Sequence, residues 1–357
     1  MAHNLGTKTK DQVAKTSKVK KEITKTDDTA MVSVVRNIAE RPWHGLGTYV
    51  EKAMTSQEAI VLAGLNYEVE KQPCYYSKKG KWVPIEDKFV TVRTDTQDQL
   101  GLVGARYEPV QNREAFDFFD AIVGKGAAIF ETAGALGKGE TIFITAKLPK
   151  NIKLVKNGKE DVIEQYLFLK NAHDGSGAIV CDFTPIRIVC NNTLNMALSG
   201  KTQNRIYIKH TSTAAERLRE AHKVMGMIDT VSGYITDVFQ KMAVSKITDQ
   251  KLMEYIAAVM SPGNELISKE EWETKYSSKC VNLTEDIFKY AKENETQLMA
   301  STSGTVFGAY NAITGYYQNM KTYDNPTDKM NSMIMSDNGT ARKKASKAFS
   351  LALQLMN

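Results

Sequence analysis

The chain has 357 residues, 42% of them hydrophobic and 25% charged, with a net charge of +6. That is the composition of an ordinary globular chain, long enough for one large domain or two average ones. No apolar run approaches the roughly 20 residues that span a bilayer, so no membrane association is expected. Cys74, Cys181, Cys190 and Cys280 form no CxxC pair, which argues against a zinc or disulfide framework and for a reducing cytoplasm.

Residues 1–30 are rich in Lys and Thr and hold seven Lys against four acids. They lack an apolar h-region, so no secretory signal is expected, and they read as a disordered tail, either solubilising or attracting phosphate. The rest of the chain balances 40 basic against 37 acidic residues, so any affinity for nucleic acid must come from local patches.

The ordered part is expected to begin near Met31 or Val34. Thr55-Ser-Gln-Glu58 is a capping box and Gly64 a helix stop, predicting a short helix that turns Ala59, Ile60 and Leu62 inward. Strand patterns follow in "YEVEKQPCYY", "KWVPIED", "KFVTVRTDT" and "LVGARYEPV", with Lys-Lys-Gly and Asp-Gln turns between them. "REAFDFFDAIV" has helical spacing, with Ala115, Phe118, Phe119 and Ile122 on one face. Strands resume in "AAIFETAGAL", "ETIFITAKL", "IKLVKNG", "VIEQYLFLKNAHD" and "GAIVCDFTPIRIVC", and "NNTLNMAL" reads as the start of a helix.

From Thr211 the pattern becomes helical. Thr213-Ala-Ala-Glu216 is a second capping box, and two heptad rows follow it: Leu218, Met225, Ser232, Phe239 and Ala221, Ile228, Ile235, Met242. Helices are also predicted near 248–260, 268–278, 284–298, 305–320 and 340–356. The predicted fold is α+β: an N-terminal antiparallel sheet with short helices, then an all-α C-terminal half with one long helix. Its divisions are a tail over 1–30, an α+β core over 31–210 and a helical region over 211–357.

"HDGSGAIVCDFTPIRIVCNNTLNMAL" resembles the signature of the phage/plasmid-like protein family, domain of unknown function 932. "PWHGLGTYV", "IKHTSTAAERLREA" and "GTVFGAYNAITGYYQN" match in the right order, so the resemblance spans roughly Trp43 to Tyr317. The family name carries no activity. It implies a setting in phages, prophages and conjugative plasmids, hence a bacterial host cytoplasm. The order small helix, hairpin sheet, helix is also similar to single-strand annealing proteins of the phage Redβ class, a similarity of architecture alone.

Catalytic readings compete with plain structural ones. Cys190 beside His173 could form a thiol–base pair, but Cys190 ends a buried apolar strand. His173 and Asp174 precede Gly-Ser-Gly, where Asp174 would close an Asx turn and His173 cap the strand. The five histidines show no metal-ligand spacing, and "GALGKGET" imitates a P-loop without its GK[ST]. No cofactor is expected. Arg187 lies between isoleucines on a strand, facing either a carboxylate such as Asp182 or a phosphate, and Asn191-Asn192-Thr193 read as a helix cap.

A cationic track follows: Lys201, Arg205, Lys209, Arg217, Arg219 and Lys223 against only Glu216 and Glu220, with Tyr207 and His210 interleaved. Cations with stackable rings suit sequence-tolerant single-strand binding; a solvated helix face is the alternative. Arg342, Lys343, Lys344 and Lys347 could add a contact or belong to an amphipathic helix, and Tyr310, Ile313 and Tyr317 read as core. The expectation is a non-enzymatic, homo-oligomeric single-stranded DNA-binding protein. The alternatives are a nuclease using His173 and Asp174, and a structural or anti-defence protein assembled through the Leu218–Met242 seam.

Overall fold

The computed structural model describes residues 31–34, 48–50, 55–123, 129–187, 192–193, 204–210, 213–262 and 277–356. Residues 1–30, Lys201, Cys190, most of "NNTLNMAL" and nearly all of the helix expected near 268–278 lie outside it. The front half forms two sheets. The smaller has three antiparallel strands, β3 (Val69–Lys78), β4 (Lys81–Arg93) and β5 (Gln99–Gly104), in that order.

The larger sheet contains β1 (Met31–Val34), β2 (Thr48–Val50), β6 (Ile129–Leu136), β7 (Thr141–Lys156), β8 (Lys159–Ala172), β9 (Ile179–Arg187), β10 (Asn192–Thr193) and β11 (Arg205–Ile208). Its order is β10-β9-β8-β7-β6-β1-β2, and β11 also pairs with β9, so β10 and β11 follow one another along one edge. All its pairings are antiparallel except β1 with β2.

Local chemistry explains these elements. Thr55 and Glu58 form the expected capping box on α1 (Ser56–Leu62), and Gly64 has φ +67 after it. Ala59 and Ile60 are buried as predicted, but Leu62 is exposed and Leu65 takes the inward place. On α2 (Asn112–Val123) Ala115 is buried, together with Phe116 from outside the predicted face. Asn157-Gly158, both at positive φ, closes the β7–β8 hairpin as a type I′ turn. "GALGKGET" is the β6–β7 hairpin turn, with Gly137 and Gly139 at positive φ.

The expected architecture needs correction in both halves. The strands do not form one sheet: α2 separates β5 from β6, and the loop after β8 docks on β5 without pairing with it. "KWVPIED" and "KFVTVRTDT" merge into β4, and "ETIFITAKL" and "IKLVKNG" merge into β7. Each merged strand carries an irregularity, at Asp87 (φ +58) in β4 and around Pro149 in β7, and a bulge absorbs the residue that reads as a break. "NNTLNMAL" does not open with a capped helix: Asn192 and Thr193 are extended and pair with Arg187 and Ile186.

Nor is the helical half built on one long helix. Helix α3 (Ala214–Val244) runs 31 residues from a Thr213–Glu216 capping box. It packs against α2, β7 and α6 (Val306–Gly315) and, through Phe239, meets α8 (Thr340–Gln354); α4 (Asp249–Met260), α5 (Ser278–Glu293) and α7 (Pro326–Met330) are the other helices of this half. The centre of this group is α6, every residue of which is buried. Phe239 of α3 meets Phe307, Tyr310 and Phe349 at ring-centroid distances of 5.3, 6.1 and 6.4 Å. The expected seam is shifted: Val224, Val231 and Val238 are buried beside Ile235 and Met242, whereas Ser232 is only half-buried.

Alternation along the strands divides the large sheet into two faces. Ile142, Ile144, Leu167, Leu169, Ile179, Cys181 and Phe183 join the main core with the helices. On the opposite face Phe143 and Phe168 pack against Met330, Ile334 and Met335 from α7 and the π-turn after it. That second face also carries Lys170, Asp182 and Arg205.

Candidate nucleic-acid interface

Strand alternation places Asp182 of β9 on the second face, and register sets Arg205 of β11 directly opposite it. Oδ2 of Asp182 accepts hydrogen bonds from Arg205 Nε (3.0 Å) and Nη2 and from Arg342 Nη2 of α8 (2.9 Å). Oδ1 of Asp182 accepts from Asn204 Nδ2, and Arg205 Nη1 also pairs with Asp337. Burial by itself would lower the Arg205 pKa, but Asp182 and Asp337 outweigh it and raise the net value, so the guanidinium stays charged. Lys170 of β8 donates to the carbonyl of Met335 at 2.9 Å, and burial lowers its pKa. Arg205, Arg342 and Lys170 thus gather around Asp182 and Asp337, with Asp174 also acting on Lys170, and Nη1 of Arg342 is buried without a hydrogen bond.

From this cluster β11 leads outward. Tyr207 lies on the same face as Arg205, whose guanidinium sits 5.9 Å from the Tyr207 ring centroid. Tyr207 and Lys209 are both exposed, the tyrosine at 55%. Arg205 is therefore engaged by acids and supports the Tyr207 ring instead of standing free. His210 is buried and stacks on Tyr107 at 4.6 Å, which removes it from the expected set of accessible rings.

Helix α3 begins four residues later. The Glu216 carboxylate accepts from the Thr213 backbone N–H, and Lys223, exposed, pairs with Glu220. Arg217 and Arg219 lie in the first two turns of α3, Arg187 at the end of β9 opposite Ile163 and Asn192; their side chains lie outside the described residues, as does all of Lys201. Asp182, named as a possible partner of Arg187, is occupied by Arg205 and Arg342. Two C-terminal lysines are also engaged: Lys344 donates to the carbonyls of Val259 and Met260, and Lys347 to that of Ser261. Both cap the end of α4, and burial holds the Lys347 pKa down at about 8. Lys343 is exposed.

The histidine of the "HDGSG" loop serves the backbone. His173 is fully buried at the end of β8, its Nε2 2.8 Å from Asn112 Oδ1, and its carbonyl accepts from Thr91 Oγ1 at 2.7 Å. Burial, reinforced by His210, lowers its pKa to about 3, so the ring is neutral. Asp174 Oδ1 accepts from Ser176 N at 2.8 Å, the expected Asx turn. The Asp174 backbone presses on Gly101 of β5, where a Cβ would come within 2.4 Å of the Asp174 Cα. This loop is the clasp between the two sheets. Cys181 is fully buried, and its thiol pKa is pushed up by that burial.

Sequence reasoning missed Asp337, Arg342 and Lys170 as members of the charged cluster. They lie far apart in the chain, and no local pattern marks the contact. The only available signal was an isolated Asp182 within an apolar strand, which demands a cation from somewhere. Among the described residues no group of three or more His, Cys, Asp or Glu could hold a metal ion, and no helix is long and apolar enough to cross a membrane.

No curated protein and no solved structure matches this chain. The family designated Domain of unknown function (DUF932) matches residues 99–351, from β5 through most of α8, and the chain belongs to that family.

Proposed function

We propose that this protein binds single-stranded DNA without cleaving it, in recombination or replication of a phage or plasmid within the host cytoplasm. Several copies would lie side by side along the strand. The observation that carries this reading is exposed Tyr207 of β11 with exposed Lys209 one residue past the strand's end, beside the charged cluster of Arg205 and Arg342. An exposed ring backed by a fixed guanidinium is a stacking platform, and the adjoining cations suit backbone phosphates. Arg217, Arg219 and Lys223 extend the same positive stretch into α3.

His173 does not favour the nuclease alternative. A sealed, neutral imidazole with its Nε2 held by Asn112 has no path to a substrate proton. A gel shift with single- and double-stranded DNA, with and without Mg²⁺, tests the proposal. The expected result is a retarded single strand that stays intact in Mg²⁺. Cleavage of either substrate, or no retardation, overturns it.

A further inference from the structure

We propose that the distal end of the β3–β4 hairpin, Tyr75–Pro84, is a second single-strand contact, in which Trp82 and Tyr75 stack on unpaired bases while Lys78, Lys79 and Lys81 meet phosphates. This rests on the nucleic-acid reading above and extends it to a surface remote in sequence from the basic track. β5 pairs with β4 only over Lys88–Val92, so beyond that point the hairpin is a two-stranded ribbon. Between the pairs Pro73–Phe89 and Tyr75–Pro84, one residue of β3 opposes four of β4, with Asp87 at φ +58. Such a bulge bends the ribbon and re-aims whatever lies beyond it.

The ribbon is built unlike a folding element. Trp82 is 75% exposed, and Tyr75 and Tyr76 are each about half exposed. Cross-strand register puts Tyr75, Ser77, Trp82 and Pro84 on one face and Tyr76, Lys78, Lys81 and Val83 on the other. The ten residues from Tyr75 to Pro84 contain three lysines and no acid. None of these lysines makes an ion pair, and Trp82 stacks on no ring, among the described residues. Large rings left in water beside unpaired cations contribute little to stability and mark a contact surface.

The turn gives an independent argument. Lys79 and Gly80 have φ +51 and +80, and Asn157 and Gly158, at the β7–β8 turn, have φ +52 and +70. Both are type I′ geometry, which Asn-Gly satisfies with least strain and a lysine at the first position does not. The chain thus uses the favourable residue in one hairpin and a strained lysine in the other. A positive charge at the outermost point of the ribbon accounts for that difference.

The chemistry selects the occupant. A strand crossing the tip can lay bases on the Trp82–Tyr75 face while its phosphates run past Lys79 and the flexible ammonium groups of Lys78 and Lys81. A bilayer could take Trp82 and Tyr75 at its headgroup level, but these ten residues include no Leu, Ile, Met or Phe to enter the hydrocarbon below it. Lysines and Pro84 on the ribbon edges oppose pairing with a strand of a second copy.

The test measures fluorescence anisotropy of a labelled oligothymidylate with the full-length protein and four variants. These are Trp82→Ala, Trp82→Phe, Lys79→Asn, and the triple Lys78→Gln, Lys79→Asn, Lys81→Gln. Trp82→Ala should weaken binding about 5- to 150-fold with an unchanged melting temperature, and Trp82→Phe should restore most of the loss. Lys79→Asn should melt at the same or a higher temperature yet bind more weakly. The triple variant should reduce the salt slope by about 2 units, at about 0.7 per phosphate. Wild-type affinity in all four variants overturns the ribbon contact and leaves the nucleic-acid reading intact. Failure of the wild-type protein to bind any oligonucleotide overturns both. Ribbon-dependent binding to phosphatidylglycerol vesicles without ribbon-dependent binding to the oligonucleotide overturns it in favour of a membrane contact.

Discussion

Asp182 and Arg342 stand 160 residues apart in sequence and are joined by a 2.9 Å hydrogen bond that ties β9, next to the edge of the large sheet, to the last helix. Asp182 is 1% exposed and shares the same oxygen with Arg205. The two guanidiniums are held together by one carboxylate. Removing it leaves the mostly buried Arg342 without its carboxylate and Arg205 with Asp337 alone, a cost of about 3–5 kcal/mol. Asp182→Ala should lose stability of that order in urea denaturation, and Asp182→Asn, which keeps an acceptor, should lose less. A loss below about 1 kcal/mol for the alanine variant would show that the cluster is not coupled to folding.

His173 gives the protein a defined acid sensitivity. Its pKa is near 6.5 in an unfolded chain and about 3 when buried. The unfolded state therefore binds a proton that the folded state excludes. Stability is full above pH 6.5 and falls as the pH drops toward 3, by up to on the order of 5 kcal/mol. His173→Gln should be less stable at pH 7 but should show a shallower decline between pH 6.5 and 3 in denaturation midpoints. Equal slopes for the two proteins contradict this assignment.

Ile235 separates an internal seam from an interface between copies. It is fully buried in the main core, one turn from Phe239. Ile235→Glu should therefore abolish cooperative unfolding and yield aggregate, because an unpaired carboxylate cannot be accommodated there. A folded, monomeric variant by circular dichroism and light scattering would instead mean that the α3 seam joins subunits.

Sequence patterns reached the elements but not their partners. The capping boxes at Thr55 and Thr213 and the Asn157-Gly158 turn are encoded by adjacent residues, so they were legible. The division into two sheets was not, because alternation identifies a strand without saying which neighbour it takes. The α3 stripe was displaced because a heptad reading admitted the Ser232 row and passed over the valines at 224, 231 and 238. At the candidate site, the local charge excess showed where cations cluster, but the engagement of Arg205 depends partly on Asp337, 132 residues away, and Asp182 is shared with Arg342, 160 residues from it. The ribbon was readable only as the turn Lys-Lys-Gly; the bulge that projects its rings into solvent depends on where β5 stops pairing.

Single-strand binding is tested most directly by the salt dependence of affinity for a labelled single-stranded oligonucleotide, followed by anisotropy. Lys209, Arg217, Arg219 and Lys223, with the ribbon lysines, should displace counterions from several phosphates. The predicted result is a straight line in log affinity against log salt with a slope steeper than about −2, at about −0.7 per phosphate. Neutralising Lys209, Arg217 and Arg219 should flatten that line. No binding at about 50 mM salt, or a slope near zero, contradicts the account.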